Sequence, residues 1–327
     1  MKSDDMKRYS NLYKSIYDLK NIENSYKEVM RNTRNERRVF NMKQYKSYYI
    51  SSIYNTLKNK SYKVGEYHKF IIYEPKKRLI VSQNITDKVI NHLVARNILY
   101  PAILPCLLDV NVASRKNLGT SAGLKYATEY RRICKVKYGT YYILKCDVSK
   151  FFNNIDHDIL KCKIRKRIKE KDSLEILDTI IDSNNPGLFI GSMTSQVLAI
   201  FYLNDMDHFI KEKLKIKYYV RYQDDFLLFH QSKEYLVYCL EQIKEFLKEE
   251  KLELNKKTRI YRSNENYIFL GRNIEGKYAK YKNVKKQLKR KLYSYNKGEI
   301  ALSSIVNSIA CYNGLIKQNI INIYNKK

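Results

Sequence analysis

Apolar positions along the chain change period repeatedly, and each change marks an element. Residues 1–60 place Leu12, Ile16 and Leu19 at helical spacing with no turn-rich break, which predicts a helical opening segment. "KFIIYEPKKRLIVSQ" (residues 69–83) predicts two strands about a turn at Glu74-Pro75, loaded with Lys76, Lys77 and Arg78. Helical spacing returns from Asp87 to Leu104, and "ASRKNLGTSAGLKYA" predicts a glycine-bearing basic loop that opens into another helix. "TYYILKCDVSKFFNNIDHDIL" (residues 140–160) predicts a strand ending at Asp147, then a turn and a helix. A helical stretch to Ile181 is broken by "DSNNPG", after which a short loop and one long helix are expected. In "YYVRYQDDFLLF" (residues 218–229) two apolar runs flank Asp224 and Asp225, the pattern of a β-hairpin with acids at its tip. An amphipathic helix running into a short strand follows. "NYIFLGRNI" reads as a further strand, and a basic helical tail starts near Lys277. The pattern is α+β, without internal repeats or long linkers.

At 327 residues and 44% hydrophobic, the chain can bury a sizeable core. Lys and Arg number 63 against 33 acids, a formal charge of +30, which points to a polyanionic partner. AT-rich coding explains abundant lysine but not the shortage of acids. The six cysteines are scattered, with no C-x-x-C pair, and read as reduced and inert rather than as zinc ligands. No apolar run has membrane-spanning length and the start lacks a signal-peptide core, so a cytoplasmic protein with no membrane role is expected.

Adjacent carboxylates repel, and an Asp-Asp pair alone is most often a solvated turn. Here both flanks are apolar strands, and a second strand ends in Asp147 just before "SKFF". If the two strands are neighbours, three acids converge at one sheet edge. Without a cation that clustering is unfavourable. Two Mg²⁺ ions, with Mn²⁺ as the alternative, turn it into attraction and suit in-line phosphoryl transfer.

"YQDD" (residues 222–225) resembles the Y-x-D-D box of reverse transcriptases, and "CDVSKFFNNIDHDIL" resembles the first catalytic block of the retron, group II intron and diversity-generating retroelement branches. "IGSMTSQ" (residues 190–196) is similar to the block between them, where most relatives read Q-G-x-x-x-S-P; Ile190 and Gln196 depart as diversity-generating retroelement enzymes do. "LELNKKT" and "FLG" match two later palm blocks. The resemblance implies a right-hand polymerase fold. Residues 1–60 and 61–139 are then fingers. Residues 140–272 form a palm, an RRM-like antiparallel sheet backed by helices, with 190–215 returning between fingers and palm. Residues 273–327 form a helical thumb.

The same resemblance makes Asp147, Asp224 and Asp225 the catalytic metal ligands, and Asp156 and His157 structural. It puts Phe152 at the steric gate that excludes a ribose 2′-hydroxyl, with plain core packing as the alternative for either Phe151 or Phe152. Arg78 and Lys76 meet the incoming triphosphate. Arg115 assists there, touches template phosphate, or is an ordinary solvated basic residue. Lys257 falls near the leaving pyrophosphate or is a surface lysine; Phe269, Leu270 and Gly271 form a primer grip or a plain strand-to-turn. Gln223 faces the primer end. The apolar Ile190 removes a polar constraint on base selection, so low fidelity is expected.

The implied activity is RNA-directed DNA synthesis, in mutagenic retrohoming by a bacterial or phage-encoded diversity-generating retroelement. The implied partners are dNTPs, a template RNA, the cDNA or primer duplex, and an accessory basic protein with which the chain forms an oligomer. Two alternatives stand beside this: a retron or defence-associated reverse transcriptase with a dedicated noncoding RNA, and a non-catalytic RNA-binding scaffold.

Overall fold

Helices lead the chain, as the spacing predicts: α1 (Leu19–Asn32), α2 (Glu36–Gln44) and α3 (Lys46–Lys58). Asp18 and Asn35 cap the first two, their side-chain oxygens accepting from the Asn21 and Arg38 amides at 2.9 Å each. α1 buries Ile22, Tyr26 and Val29, one stripe of a 3.6-residue period. The structure, a computed structural model, describes residues 8–72, 78–274, 279–306 and 308–309. The basic hairpin is represented by β1 (His68–Ile72) and β2 (Arg78–Ser82), paired antiparallel with Ile72 opposite Arg78. Its expected turn at Glu74-Pro75, with Lys76 and Lys77, lies outside the described residues.

α4 (Ile85–Val94) is capped by Asn84 and passes through one wider turn into the short α5 (Tyr100–Ile103). After the glycine-bearing loop comes α6 (Thr120–Tyr138), then β3 (Tyr142–Asp147) and α7 (Phe151–Asn154). Helices α8 (His157–Arg167) and α9 (Lys171–Asp182) follow. The single long helix expected next is instead α10 (Met193–Tyr202) and α11 (Asn204–His208), which continues into one wider turn to Lys213. The hairpin of β4 (Tyr218–Tyr222) and β5 (Asp225–His230) forms as its pattern predicts.

The chain then runs through α12 (Lys233–Glu249) to β6 (Arg259–Arg262). The strand expected directly after α12 reduces to one bridge between Leu254 and Val148; the paired strand lies later, in the polar run "RIYR". The result is a four-stranded antiparallel sheet in the order β4-β5-β3-β6, against which α6 and α12 pack. Ile143, Leu144, Cys146 and Phe226 to Phe229 are buried in it. Each large side chain of that kind contributes roughly 1.5–3 kcal/mol on burial.

Two compact units divide the chain, Met1–Ser263 and Asn264–Lys327. The second holds β7 (Ile268–Phe269), β8 (Arg272–Asn273) and α13 (Ala279–Asn296). The stretch "NYIFLGRNI" is therefore a tight hairpin rather than one strand, and residues 269–271, grouped with the palm from the sequence, fall in this unit. No helix among the described residues is long and apolar enough to cross a membrane.

Candidate active site

β3 and β5 place their acids opposite one another. In the antiparallel register Asp147 pairs with Asp225, and Tyr222 pairs with Asp225 on the other side, which leaves Gln223 and Asp224 as a two-residue turn. Gln223 takes a φ of 55°, the left-handed conformation that such turns require and side chains other than glycine adopt reluctantly. Asp224 is half-buried, and its peptide carbonyl accepts from the Val148 amide at 3.1 Å, just beyond Asp147. The backbones of the three acids thus meet at one end of the sheet.

Burial, with the nearby charges of Asp147 and Asp225, pushes the Asp224 carboxyl up to about 6. Asp225 is balanced differently: the Lys145 ammonium lies 2.7 Å from its Oδ1, both side chains mostly shielded from solvent. Lys145 stands two residues before Asp147 on the same face of β3, inside a run whose other members are mostly apolar. With these side-chain positions no group of three or more His, Cys, Asp or Glu among the described residues is close enough to hold a metal ion. The chemistry of the set nevertheless fits a hard divalent cation: the three acids offer only carboxylate oxygens, and in one of them burial, with the charge of its neighbours, makes ionisation harder than usual.

The surrounding residues fall as follows. Phe151 is buried and Phe152 half-buried, with ring centroids 5.7 Å apart at the start of α7. Added bulk at Gly187, whose φ is 72°, would strike the Phe152 carbonyl, so "NNPG" packs closely under this helix. Ile190 is 45% exposed in the turn before α10, and Gln196 is exposed on that helix. The Gln223 amide nitrogen donates to Ser114 Oγ at 2.9 Å and to the Gln196 carbonyl at 3.5 Å, so the acid-bearing turn touches both the glycine-bearing loop and α10.

Arg115 holds its own loop, its guanidinium donating to the Leu108 and Asn111 carbonyls (3.0 and 3.2 Å) and pairing with Asp109. Lys257 is exposed in the turn before β6. Arg78 begins β2, and Lys76 lies outside the described residues. Asp156 caps α8 through the Ile159 amide (3.0 Å) and pairs with Lys251. In the second unit Phe269 is buried, while Leu270 and Gly271 form the turn of the β7–β8 hairpin with φ of 47° and 72°.

Sequence reasoning missed Lys145 and Arg221. Arg221 stands inside a run read from the sequence simply as an apolar strand, and it is fully buried against Asp207. β4 is covered on both faces, so alternation has no polar side there. The only available signal was an arginine inside an otherwise apolar and aromatic run, which requires a buried partner.

An antiparallel sheet bearing carboxylates at a strand end and in the adjoining hairpin turn, backed by helices, is the palm of a nucleic-acid polymerase. The model of the reverse transcriptase (RNA-dependent DNA polymerase) family matches residues 57–274, and the chain belongs to that family. No curated protein matches by sequence. Among solved structures the chain is similar to telomerase from Candida albicans in complex with a fragment of telomeric RNA: 15% identity, TM-score 0.48, covering 72% of this chain and 48% of that one. It is also similar to apo telomerase from Candida tropicalis, truncated from the C-terminal domain (14% identity, TM-score 0.49, 63% and 52% covered). A third is telomerase from Candida tropicalis with a telomeric RNA fragment (14%, TM-score 0.49, 81% and 55%). The chain spans about half the length of these structures.

Proposed function

We propose that the protein is an RNA-directed DNA polymerase that copies an RNA template into cDNA with low fidelity, as part of a diversity-generating retroelement. The observation that carries the polymerase reading is the pairing of Asp147 with Asp225 beside the Asp224 turn, in a chain of the reverse transcriptase family. Asp147, Asp224 and Asp225 are the residues to hold Mg²⁺, which when bound lowers the pKa of the primer 3′-hydroxyl and neutralises the triphosphate. The chain's own side chains set the geometry around that chemistry. Gln223, fixed by Ser114, presents the primer side of the pocket, and the half-buried Phe152 ring limits space at the sugar. Lys257, Arg78, Lys76 and Arg115 supply positive charge toward phosphates, and Phe269, Leu270 and Gly271 act as primer grip.

The retroelement reading rests on Ile190 and Gln196. An exposed apolar residue at the pocket turn offers no hydrogen bond with which to test the incoming base, and one missing polar contact is worth a large factor in discrimination. An accessory basic protein and a structured template RNA are the partners this reading requires, and the cytoplasm is its location. The test is to purify the chain with its co-expressed RNA and the accessory protein, supply dNTPs and Mg²⁺, and sequence the product. Template-complementary cDNA rich in substitutions is the expected result; accurate cDNA leaves a polymerase but removes the diversification role, and absence of cDNA removes both.

A further inference from the structure

Arg221 has no role in the chemistry described so far, yet it is the largest fully buried side chain in the described chain. Its Nε donates to Asp207 Oδ1 at 2.7 Å and its Nη2 to Asp207 Oδ2, a two-pronged pair with both partners sealed from solvent. Tyr219 Oη donates to the same carboxylate at 2.7 Å. A buried ion pair of this kind is weak evidence for stability, because desolvation offsets most of the attraction; a role in fixing position is a better reason for it. The remaining guanidinium contacts show what is being positioned. Nη1 donates to the Gln223 carbonyl at 3.0 Å, and Nη2 donates to the Ile200 carbonyl of α10 at 3.0 Å.

The Gln223 carbonyl belongs to the peptide that enters Asp224. The peptide that leaves Asp224 is held by the Val148 amide at 3.1 Å. Both peptides flanking Asp224 are therefore gripped, one by Arg221 and one by the residue after Asp147. The Arg221 main chain is anchored as well, exchanging hydrogen bonds with Val110 (2.8 Å) and Val112 (3.0 Å). A turn with a residue at positive φ relaxes if one grip is released.

We propose that Arg221 is the positioning residue for the Asp224 carboxylate, and that through the Ile200 carbonyl it locks the acid-bearing turn to α10, the helix behind the Ile190 turn. The proposal rests on the polymerase reading for its kinetic consequence, not for its structural one. Lysine at this position keeps the charge that Asp207 needs but lacks a planar fork able to hold the carboxylate and two carbonyls together.

The experiment compares the full-length protein with Arg221→Lys by hydrogen exchange and by primer extension. The Val148 amide is expected to exchange about tenfold faster in Arg221→Lys, with the α12 core around Ile243 unchanged. The turnover rate is expected to fall roughly 10- to 100-fold while KM for dNTP stays within about twofold, the signature of misplaced chemistry rather than lost binding. Tyr219→Phe, which leaves the guanidinium contacts in place, should change neither reading. Unchanged Val148 exchange together with unchanged turnover in Arg221→Lys overturns the proposal. If Arg221→Lys loses protection throughout, Asp207→Asn decides by the same readings: faster Val148 exchange in a folded protein supports the clamp, and wild-type exchange there overturns it. A wild-type protein that incorporates no dNTP sinks the polymerase reading alone, since the exchange comparison still decides the clamp.

Discussion

Asp224 is an acid that keeps its proton to a higher pH in the folded chain than in the unfolded one. Its pKa is raised above the unfolded value of 3.8 to about 6, so between those limits the folded state binds more protons than the unfolded one. Stability from this residue therefore falls as pH rises through that window and stays lower above it. Asp224→Asn removes the penalty. It should raise stability at pH 7.5 by about 1–2 kcal/mol, a few degrees in Tm, and have no effect near pH 4, while abolishing nucleotide incorporation. Thermal melts at the two pH values check this, and a variant that melts earlier at pH 7.5 refutes the penalty assigned to burial and the neighbouring charges. A second consequence concerns cation binding. With Asp224 protonated below about pH 6, Mg²⁺ affinity measured by calorimetry should fall as the pH is lowered and hold steady above pH 7. Lys145 was invisible as a site residue because nothing in the sequence pairs it with an acid on another strand. Only the strand register brings it onto Asp225.

Elements with strong period were legible: α1, α4, β3 and the β4–β5 hairpin each fall where their apolar spacing puts them. What escaped was governed by tertiary cover or by polar edges. β6 is a polar run that pairs only because β3 offers an open side, and Arg221 is buried because Asp207 arrives from α11. The β7–β8 turn was hidden in a continuous-looking strand, since Leu270 adopts a φ that leucine rarely takes. Replacing Leu270 by Asn should therefore stabilise the second unit by roughly 0.5–1 kcal/mol, and Gly271→Val should destabilise it by more than about 1 kcal/mol. Chemical denaturation of the full chain, followed by a probe in the second unit, reads both. At the turn before α10, the proposed role of Ile190 predicts that Ile190→Gln, which adds a hydrogen-bonding side chain, lowers misincorporation in primer extension several-fold; an unchanged error spectrum removes Ile190 from base selection.

For the whole molecule, a formal charge of +30 spread over 327 residues favours binding to a polyanion. If template and primer are that partner, and six to ten phosphates are neutralised, affinity should drop by roughly 10³- to 10⁵-fold between 50 and 200 mM salt. A flat salt response in a binding titration excludes an extended duplex contact. The three aspartates are the point where charge, fold and family meet, and one measurement addresses them directly. Primer extension on an RNA template with Mg²⁺ should yield DNA with the wild-type chain and none with Asp147→Asn at equal template binding. Equal extension by the two proteins would mean that the carboxylates at the end of β3 and in the adjoining turn are not where DNA is made.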